Sequence, residues 1–342
     1  MKNSKWFVFV IVLMVAMLIP ASGFCQKTIN LKYSLSLSNS HPFSQVLVRW
    51  FDRLEKQTNG RLKTQFFPRY TLLTSKGGWE ELRAGAANMG SIQIAYQRSG
   101  FDLLRRVPSF YFGVQDFKKA RRINEDVRKK FPFIEDDAKG NKILMRQQYP
   151  GYSAFTRKGN PIRTLDNFKG LSLKVTSTHL SWAKALGAEG IVMPMGEVYI
   201  SLEKGILDGY LGPIESLNSM KLAEVTSYAT YCYVNSGPNP TCFMNWDTWN
   251  KLPPDIQKLI DDTMDEAVAD DEATKEKLTE DAVAKAKKQG MEFIKMPKAD
   301  YAKLNTVLEQ TFIKKAKELD AKGFPGTEIY KYIRGLVEKY ND

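Results

Sequence analysis

The sequence predicts a two-lobed α/β protein, and three observations support this fold class. Residues 171–215 read as strand, helix, strand and helix, an order that builds parallel sheets. Roughly 315 residues follow the predicted export signal, which is more than one compact core usually holds. Segments near Pro150 and Asn235 have the pattern of crossings between α/β units. We therefore expect a cleft between two lobes that closes by hinge motion.

The unit at 171–215 is the most regular part of the chain. Its predicted elements are a strand over 171–176, a helix over 180–186, a strand over 191–193 and a helix over 197–207. Gly187 follows the first helix and is expected to form a left-handed cap. Lys174 lies on the polar face of the first strand, and the carboxyl ends of parallel strands commonly hold ligands. The pattern therefore indicates a candidate anion site near Lys174.

The remaining elements follow from periodicity and from turn residues. In chain order they are a strand at 29–37, a helix that begins near Pro42 and ends at Gly60, a strand that ends at 67, a helix at 79–84, a strand at 89–96, a helix at 116–131, a strand at 142–148, a further strand after Pro150-Gly151, strands at 228–234 and 241–246, a helix at 255–289, a strand at 291–296, and helices at 299–319 and 327–340. Apolar residues alternate with polar ones over 29–37, as in a strand with one buried face. The helix at 255–289 has an acidic first half and a lysine-rich end, an order that suits the helix dipole.

Residues 1–25 have the pattern of a secretory signal peptide: two lysines, an apolar run over 6–19, then small residues. The apolar run is shorter than the roughly 18 residues expected of a membrane span. An uncleaved membrane anchor is the alternative. Cys25 suggests a lipoprotein signal as a further alternative. Phe24 disfavours it, because such a signal needs a small residue directly before the cysteine. We expect a soluble chain exported to the periplasm.

The charge and the cysteines exclude several classes of function. The formal net charge is +12, but the basic residues are scattered, which argues against nucleic-acid binding. A cationic lobe would attract small anions, although general solubility explains the charge equally well. Cys232 and Cys242 flank a loop with Gly237 and two prolines, so they could form a disulfide across adjacent strands or remain as buried thiols. Two histidines without a Cys/His cluster predict no metal site, and no cofactor is expected.

No catalytic constellation is apparent. The sequence has no Gly-x-Ser-x-Gly elbow, no Walker loop, and no Gly-x-Gly-x-x-Gly after a predicted strand. Acidic pairs such as Asp261/Asp262 and Asp270/Asp271 lie on the long helix and read as solvated surface. We predict that the protein has no catalytic residues and is not an enzyme.

A set of short motifs, in order, resembles one known family. The motifs are Phe168–Val175, Leu186–Ala188, Met193-Pro194, Glu197–Tyr199, Leu202, Gly205, Asp208-Gly209, and more distantly Thr58–Leu62, Leu82–Gly85 and Trp249–Asp255. They resemble the signature of the DctP family, the extracytoplasmic solute-binding proteins of tripartite ATP-independent periplasmic (TRAP) transporters. The resemblance runs over essentially the whole mature chain.

This resemblance implies a type II-like periplasmic binding protein fold with a ligand cleft and a long helix bracing both lobes. The expected first lobe comprises 26–150 plus about 237–270, and the second comprises 151–236 plus about 290–342. The long helix, 255–289, would span both. A coiled-coil partner surface is the alternative for this helix, but no heptad pattern is sustained.

The resemblance also implies the function: capture of a small organic acid anion and its delivery to the permease subunits of a TRAP transporter. Two alternatives are an exported enzyme on a bilobal scaffold and the ligand-binding component of a sensor system. An adjacent pair of permease genes would separate the transporter from the sensor, and turnover of a tightly bound ligand would identify an enzyme.

The same resemblance places candidate ligand-binding residues. Relatives commonly hold a ligand carboxylate with an arginine where this chain has Lys174, which keeps the charge but loses the bidentate fork. A second arginine used by some relatives would fall near Ala154, and Arg157 is the nearest cation. The further candidates are Ser38, Asn39, Ser75, Trp79, Gln93, Met195, Gly212 and Glu215. A glycine at position 212, with Trp79 and Met195 nearby, would suit a bulky or aromatic acid.

Overall fold

The structure is a computed structural model that describes residues 27–98, 100–114, 116–147, 149–234 and 240–341. The predicted signal peptide at 1–25 and the predicted crossing at Asn235 lie outside these ranges. Within them, no helix is both long and apolar enough to cross a membrane.

The described residues form two sheets surrounded by helices. The strands are Ile29–Ser34 (β1), Leu62–Phe67 (β2), Met89–Gln93 (β3), Asn141–Arg146 (β4), Tyr152–Thr156 (β5), Ser172–Val175 (β6), Glu189–Val192 (β7), Gly209–Gly212 (β8), Tyr228–Val234 (β9), Pro240–Asn245 (β10) and Glu292–Lys295 (β11). The α-helices are Pro42–Gln57 (α1), Gly78–Arg83 (α2), Asp102–Arg106 (α3), Phe117–Lys130 (α4), Leu180–Ala185 (α5), Val198–Glu203 (α6), Ser216–Ser219 (α7), Trp246–Lys251 (α8), Pro254–Lys288 (α9), Lys298–Asp320 (α10) and Gly326–Asn341 (α11). The two-lobed α/β fold is therefore confirmed.

The first sheet has the strand order β2-β1-β3-β10-β4. Strands β1, β2 and β3 are parallel, whereas β10 runs antiparallel to both β3 and β4. Leu31, Tyr33 and Leu35 are buried, as the alternating pattern predicts for one face of β1. Because β10 is reversed, its first residues lie at the same edge as the carboxyl ends of β1, β3 and β4.

The second sheet has the order β11-β9-β5-β8-β6-β7. Strands β6, β7 and β8 are parallel, and β5 runs antiparallel to β8 and β9. The start of β5 therefore lies beside the carboxyl ends of β6 and β8, and the end of β5 lies at the opposite edge. Gly187 has a φ of +77° and follows α5, which confirms the predicted left-handed cap.

The long helix α9 contacts both halves of the molecule. On the first-sheet side, the Trp50 indole N–H donates to the Thr263 hydroxyl at 2.9 Å, and Arg49 pairs with Asp270 at 2.9 Å. Further along, Lys285 Nζ donates to Oδ1 of Asn218, on α7, at 2.9 Å. The helix thus joins the two lobes, as the family resemblance implies.

The last helix departs from the expected division of residues. We expected 290–342 to belong to the second lobe, but α11 packs on α4 of the first. The Tyr340 hydroxyl donates to Asp126 Oδ2 at 2.7 Å, and the Arg334 guanidinium lies 3.7 Å from the centre of the Phe112 ring. The helix before it, α10, packs on α5 of the second lobe. The two C-terminal helices therefore form another connection between the lobes.

Cys232 and Cys242 are buried free thiols. Cys232 lies on β9 and Cys242 on β10, which belong to different sheets. They therefore do not face each other across adjacent strands, and of the two alternatives left open by the sequence the buried thiols are found. Burial raises the pKa of Cys232 to about 12 and that of Cys242 to about 11.

Candidate functional site

A cleft of about 660 Å³ lies at the edge where the carboxyl ends of the parallel strands meet. Its walls come from both sheets. The first-lobe contributions lie on or after β1, β2, β3 and β4 and at the start of β10, and the second-lobe contributions lie on or after β6, β7 and β8. This is the edge at which α/β proteins usually hold small ligands.

Six of the predicted ligand-binding residues line this cleft. They are Ser38, Ser75, Gln93, Lys174, Met195 and Glu215. The structure therefore brings together side chains that are up to 177 positions apart in the sequence, from Ser38 to Glu215. Their roles in binding stay predictions.

Two predicted residues are explained by local packing. The Trp79 side chain is 8% exposed and packs edge-on against Phe101 and Phe243, in the core of the first lobe. Asn39 is exposed, and its backbone carbonyl accepts a 2.6 Å hydrogen bond from the Gln45 side chain at the start of α1. Neither residue lines the cleft.

Gly212 does not enlarge the cleft. A Cβ added there would lie 2.8 Å from the Tyr210 ring, and Gly212 is not part of the cleft wall. The space left by the missing side chain is therefore filled by Tyr210, and the geometry gives no support for extra room for a bulky ligand at this position.

Arg157 lies away from the cleft. It follows β5, whose start is at the cleft and whose end is at the opposite edge of the sheet. Its backbone N–H donates to the Asp208 carbonyl at 2.9 Å, just before β8 begins. The arrangement therefore does not support Arg157 as a ligand cation.

Lys174 is a buried cation in the wall of the cleft. Only 2% of its surface is exposed, and Nζ lies 3.1 Å from Met195 Sδ, a weak acceptor. Among the described residues it forms no ion pair. Burial without a counter-charge lowers the pKa of Lys174 to about 8. An anionic ligand would supply the missing opposite charge.

Glu215 is a buried carboxyl group in the same wall. Its side chain is 1% exposed, its own backbone N–H donates to it, and Oε2 has no hydrogen-bond partner among the described residues. Burial raises the pKa of Glu215 to about 8. The group is therefore neutral at pH 7 and can donate a hydrogen bond.

His41 and Gln93 bring further unpaired polar atoms to the first-lobe wall. The Phe43 backbone N–H donates to His41 Nδ1 at 3.3 Å, so the neutral imidazole carries its proton on Nε2. Burial lowers the pKa of His41 to about 4. His41 Nε2 and Gln93 Oε1 have no partner among the described residues. His41 was not predicted, although it lies two residues after the candidate Asn39.

Aromatic rings form much of the remaining wall. Phe43, Tyr149 and Tyr152 make successive edge-on contacts with centroid separations of 5.9 and 6.2 Å. Tyr70 and Tyr96 line the cleft as well. None of these was predicted, because Tyr70, Tyr96 and Tyr149 lie in connecting segments and Tyr152 begins β5, whose direction the sequence does not reveal.

A buried ion pair lies beneath these rings. Asp271 and Lys275, on α9, are 2% and 0% exposed, and they form a short salt bridge. Lys275 Nζ lies 4.1 Å from the centre of the Tyr149 ring, and Gln147 Nε2 donates to Asp271 Oδ1 at 3.3 Å. The bracing helix is thus tied to the floor of the cleft. In the described residues there is no cluster of His, Cys, Asp or Glu that could hold a metal ion.

Comparison with known proteins identifies the family. The model of the DctP family, bacterial extracellular solute-binding protein family 7, matches residues 33–318. The C4-dicarboxylate-binding periplasmic protein DctP of Rhodobacter capsulatus is 27% identical over 269 residues, 75% of each chain. A TRAP periplasmic solute-binding protein from Desulfovibrio salexigens is 26% identical, with a TM-score of 0.76 over 91% of this chain and 96% of that one.

A second solved structure supports the fold. It is a TRAP solute-binding protein from Rhodoferax ferrireducens in complex with copurified benzoate, with a TM-score of 0.81, 20% identity, and coverage of 92% of this chain and 99% of that one. Because the family model spans most of the chain, and the cleft lies where the fold places ligands, the assignment follows from sequence and structure together. The chain belongs to the DctP family of bacterial extracellular solute-binding proteins, the periplasmic components of TRAP transporters.

Proposed function

We propose that the protein captures a small aromatic carboxylate in the periplasm and delivers it to the permease of a TRAP transporter. The observation that carries this proposal is the Lys174 ammonium, which is buried in the cleft and has no carboxylate partner among the described residues. A buried charge without a partner is unfavourable. A ligand carboxylate beside Nζ would remove this penalty and form a charge-assisted hydrogen bond.

The rings in the wall support an aromatic ligand. Phe43, Tyr149 and Tyr152 form a continuous row, and Tyr70 and Tyr96 lie in the same cleft. Aromatic pairs contribute about 0.5–1.5 kcal/mol beyond the burial of their area. The structural neighbour from Rhodoferax ferrireducens holds benzoate, a ligand of this chemistry, in the same fold.

A second cation lies at the rim of the first lobe. Arg69 lines the cleft but is exposed, and both Arg69 and Tyr70 adopt left-handed backbone conformations, with φ of +53° and +58°. Such conformations are unfavourable for residues other than glycine and often occur at functional sites. We propose that Arg69 attracts the anion towards the cleft and that Lys174 binds it.

The family consists of transporter binding proteins, and we propose that this chain releases its ligand unchanged. To test this, the purified protein is incubated with benzoate, and the ligand that it releases is identified by mass spectrometry. Recovery of the unaltered acid is expected. Appearance of a product at a rate that depends on the protein would identify an enzyme.

A thermal-shift comparison tests the ligand class. We expect benzoate to raise the melting temperature, because a ligand at 100 times its dissociation constant adds about 2.7 kcal/mol to stability. Benzamide has a similar shape without the charge and should give a much smaller shift, and succinate tests the need for the ring. Equal shifts with benzamide and benzoate would contradict a carboxylate site built on Lys174.

Binding should weaken as the pH rises above about 8. The pKa of Lys174 is about 8 in the free protein, and a bound carboxylate favours the charged form, so binding is strongest below this pH. At pH 9 the protein should take up protons as benzoate binds. Calorimetry at pH 9 in two buffers with different ionisation enthalpies measures this uptake. Zero uptake, or release of protons, would contradict the prediction.

A further inference from the structure

The Glu215 carboxyl group adds a second requirement to the ligand. We propose that the ligand carries, beside its carboxylate, an uncharged oxygen that accepts a hydrogen bond from the carboxyl group of Glu215. This inference rests on the proposed function, because it concerns the same cleft. It assigns Glu215 a role in selecting among aromatic acids, which Lys174 alone cannot do.

The first argument is the geometry of the carboxyl group. Glu215 lines the cleft three residues after the end of β8. Only 1% of its surface is exposed. Its backbone N–H satisfies one oxygen, and Oε2 has no partner among the described residues. A buried polar atom without a partner is energetically unfavourable. A ligand atom at Oε2 would remove this penalty.

The second argument is the charge of the group. The charged and titratable groups around Glu215 are Tyr149, Tyr152, Tyr210, Asp271 and Lys275. The cation among them, Lys275, is already in a salt bridge with Asp271. Glu215 therefore has no counter-ion of its own, and burial raises its pKa to about 8. At neutral pH the carboxyl group is mostly protonated, so it can act as a donor.

The third argument separates a neutral oxygen from a cationic group on the ligand. A ligand ammonium would need an ionised Glu215, which is unfavourable in this buried position beside Asp271. A carbonyl or ether oxygen needs only the proton that the group already holds. The electrostatics of the wall therefore favour an acceptor oxygen.

The experiment compares ligands of matched shape. The probes are 3- and 4-acetylbenzoate, which carry a carbonyl acceptor, and 3- and 4-isopropylbenzoate, which have similar shapes without it. Calorimetry at pH 7 measures the affinity for each compound. The preference is the affinity for the acetyl compound divided by that for the isopropyl compound, taken at the ring position, 3 or 4, that binds more tightly. We expect the wild-type protein to prefer the acetyl compound about ten-fold, as one hydrogen bond allows.

Three variants assign this preference to Glu215. Glu215→Leu removes the donor and should lower the preference to about one. Glu215→Gln still donates through its amide and should restore most of it. Glu203→Leu, an exposed position on α6 outside the cleft wall, is the matched control and should leave the preference unchanged.

The pH profile supplies a readout that a purely structural role would not change. The wild-type preference should decline above about pH 8 as Glu215 loses its proton. The preference of Glu215→Gln should not depend on pH. Acetyl and isopropyl groups do not titrate in this range, so the change belongs to the protein.

The outcomes distinguish this inference from the proposed function. Equal affinity of the wild type for both probes, or a preference that survives Glu215→Leu, overturns the inference while leaving an aromatic carboxylate site. Tighter binding of 3- or 4-(aminomethyl)benzoate, lost in Glu215→Gln, also overturns it and indicates an ion pair. Failure of the wild type to bind any of these benzoates contradicts the proposed function itself.

Discussion

Replacing Lys174 by methionine is expected to weaken benzoate binding by a factor on the order of a hundred or more. Removing one member of a desolvated charge pair typically costs about 2–5 kcal/mol of binding free energy. Methionine fills nearly the same space as lysine, and Met195 already contacts this position, so the wall should keep its shape. The loss of affinity then reports the charge rather than a cavity.

The same substitution should stabilise the ligand-free protein. Burial lowers the pKa of Lys174 from 10.5 to about 8, so holding the charged side chain in the folded state costs about 3 kcal/mol at pH 7. This cost is present in full below pH 8 and disappears as the pH rises towards 10.5. Weaker binding together with greater stability is typical of a residue kept for function.

Calorimetry with benzoate and urea denaturation at pH 7 measure the two effects. Arg157→Met is the matched control, because it removes the same charge from the second lobe at a position outside the cleft. It should change the affinity by less than about three-fold. A Lys174→Met protein that binds like the wild type would contradict the assignment of Lys174. Lys174→Arg tests the fit: retained binding would mean that the cleft accepts the family's guanidinium.

The sequence located this cation because its strand belongs to a regular unit. This unit consists of elements that are close in sequence: strands β6 and β7 and helices α5 and α6. The parallel arrangement of the two strands follows from the periodicity of the sequence and from the helix end at Gly187. Once the direction of β6 is known, the edge that carries Lys174 is known as well. Strand β8 was not predicted, because its four residues begin and end with glycine and show no alternation.

Arg157 lies outside the cleft wall, and the sequence did not reveal this for the opposite reason. Its position depends on β5 running antiparallel to β8, and only long-range pairing determines that direction. The same reversal brings Tyr152, at the start of β5, to the cleft. A search for cationic residues therefore selects Arg157, which follows the end of β5 far from the cleft. It overlooks Tyr152, which begins β5 at the cleft.

The long helix shows a second limit of sequence analysis. Asp270 and Asp271 are adjacent and were both read as solvated surface. The Asp270 side chain is 41% exposed, but the Asp271 side chain is 2% exposed and faces the interior. Two neighbours on a helix point about 100° apart, so one can face solvent while the other is buried. The buried face of this helix cannot be recognised from an apolar pattern in the sequence, because part of that face is itself charged.

Asp271→Ala is expected to destabilise the protein by about 3–5 kcal/mol, the usual effect of removing one member of a buried ion pair. Lys275 would remain 0% exposed, between the rings of Phe43 and Tyr149, without its carboxylate. Gln147 would also lose its acceptor. Because these residues lie under the cleft, benzoate affinity should fall as well.

The same helix offers a matched control. Asp262 pairs with Lys258, also four residues apart, but their side chains are 57% and 73% exposed. Asp262→Ala should change the free energy of unfolding by no more than about 0.5 kcal/mol, because solvent already screens this pair. Urea denaturation gives the free energy of unfolding of both variants. It thereby compares the same substitution, aspartate to alanine, in a buried and in an exposed ion pair of one helix. Equally small losses would mean that Asp271 does not hold Lys275 in place, and that the floor of the cleft is stabilised by packing alone.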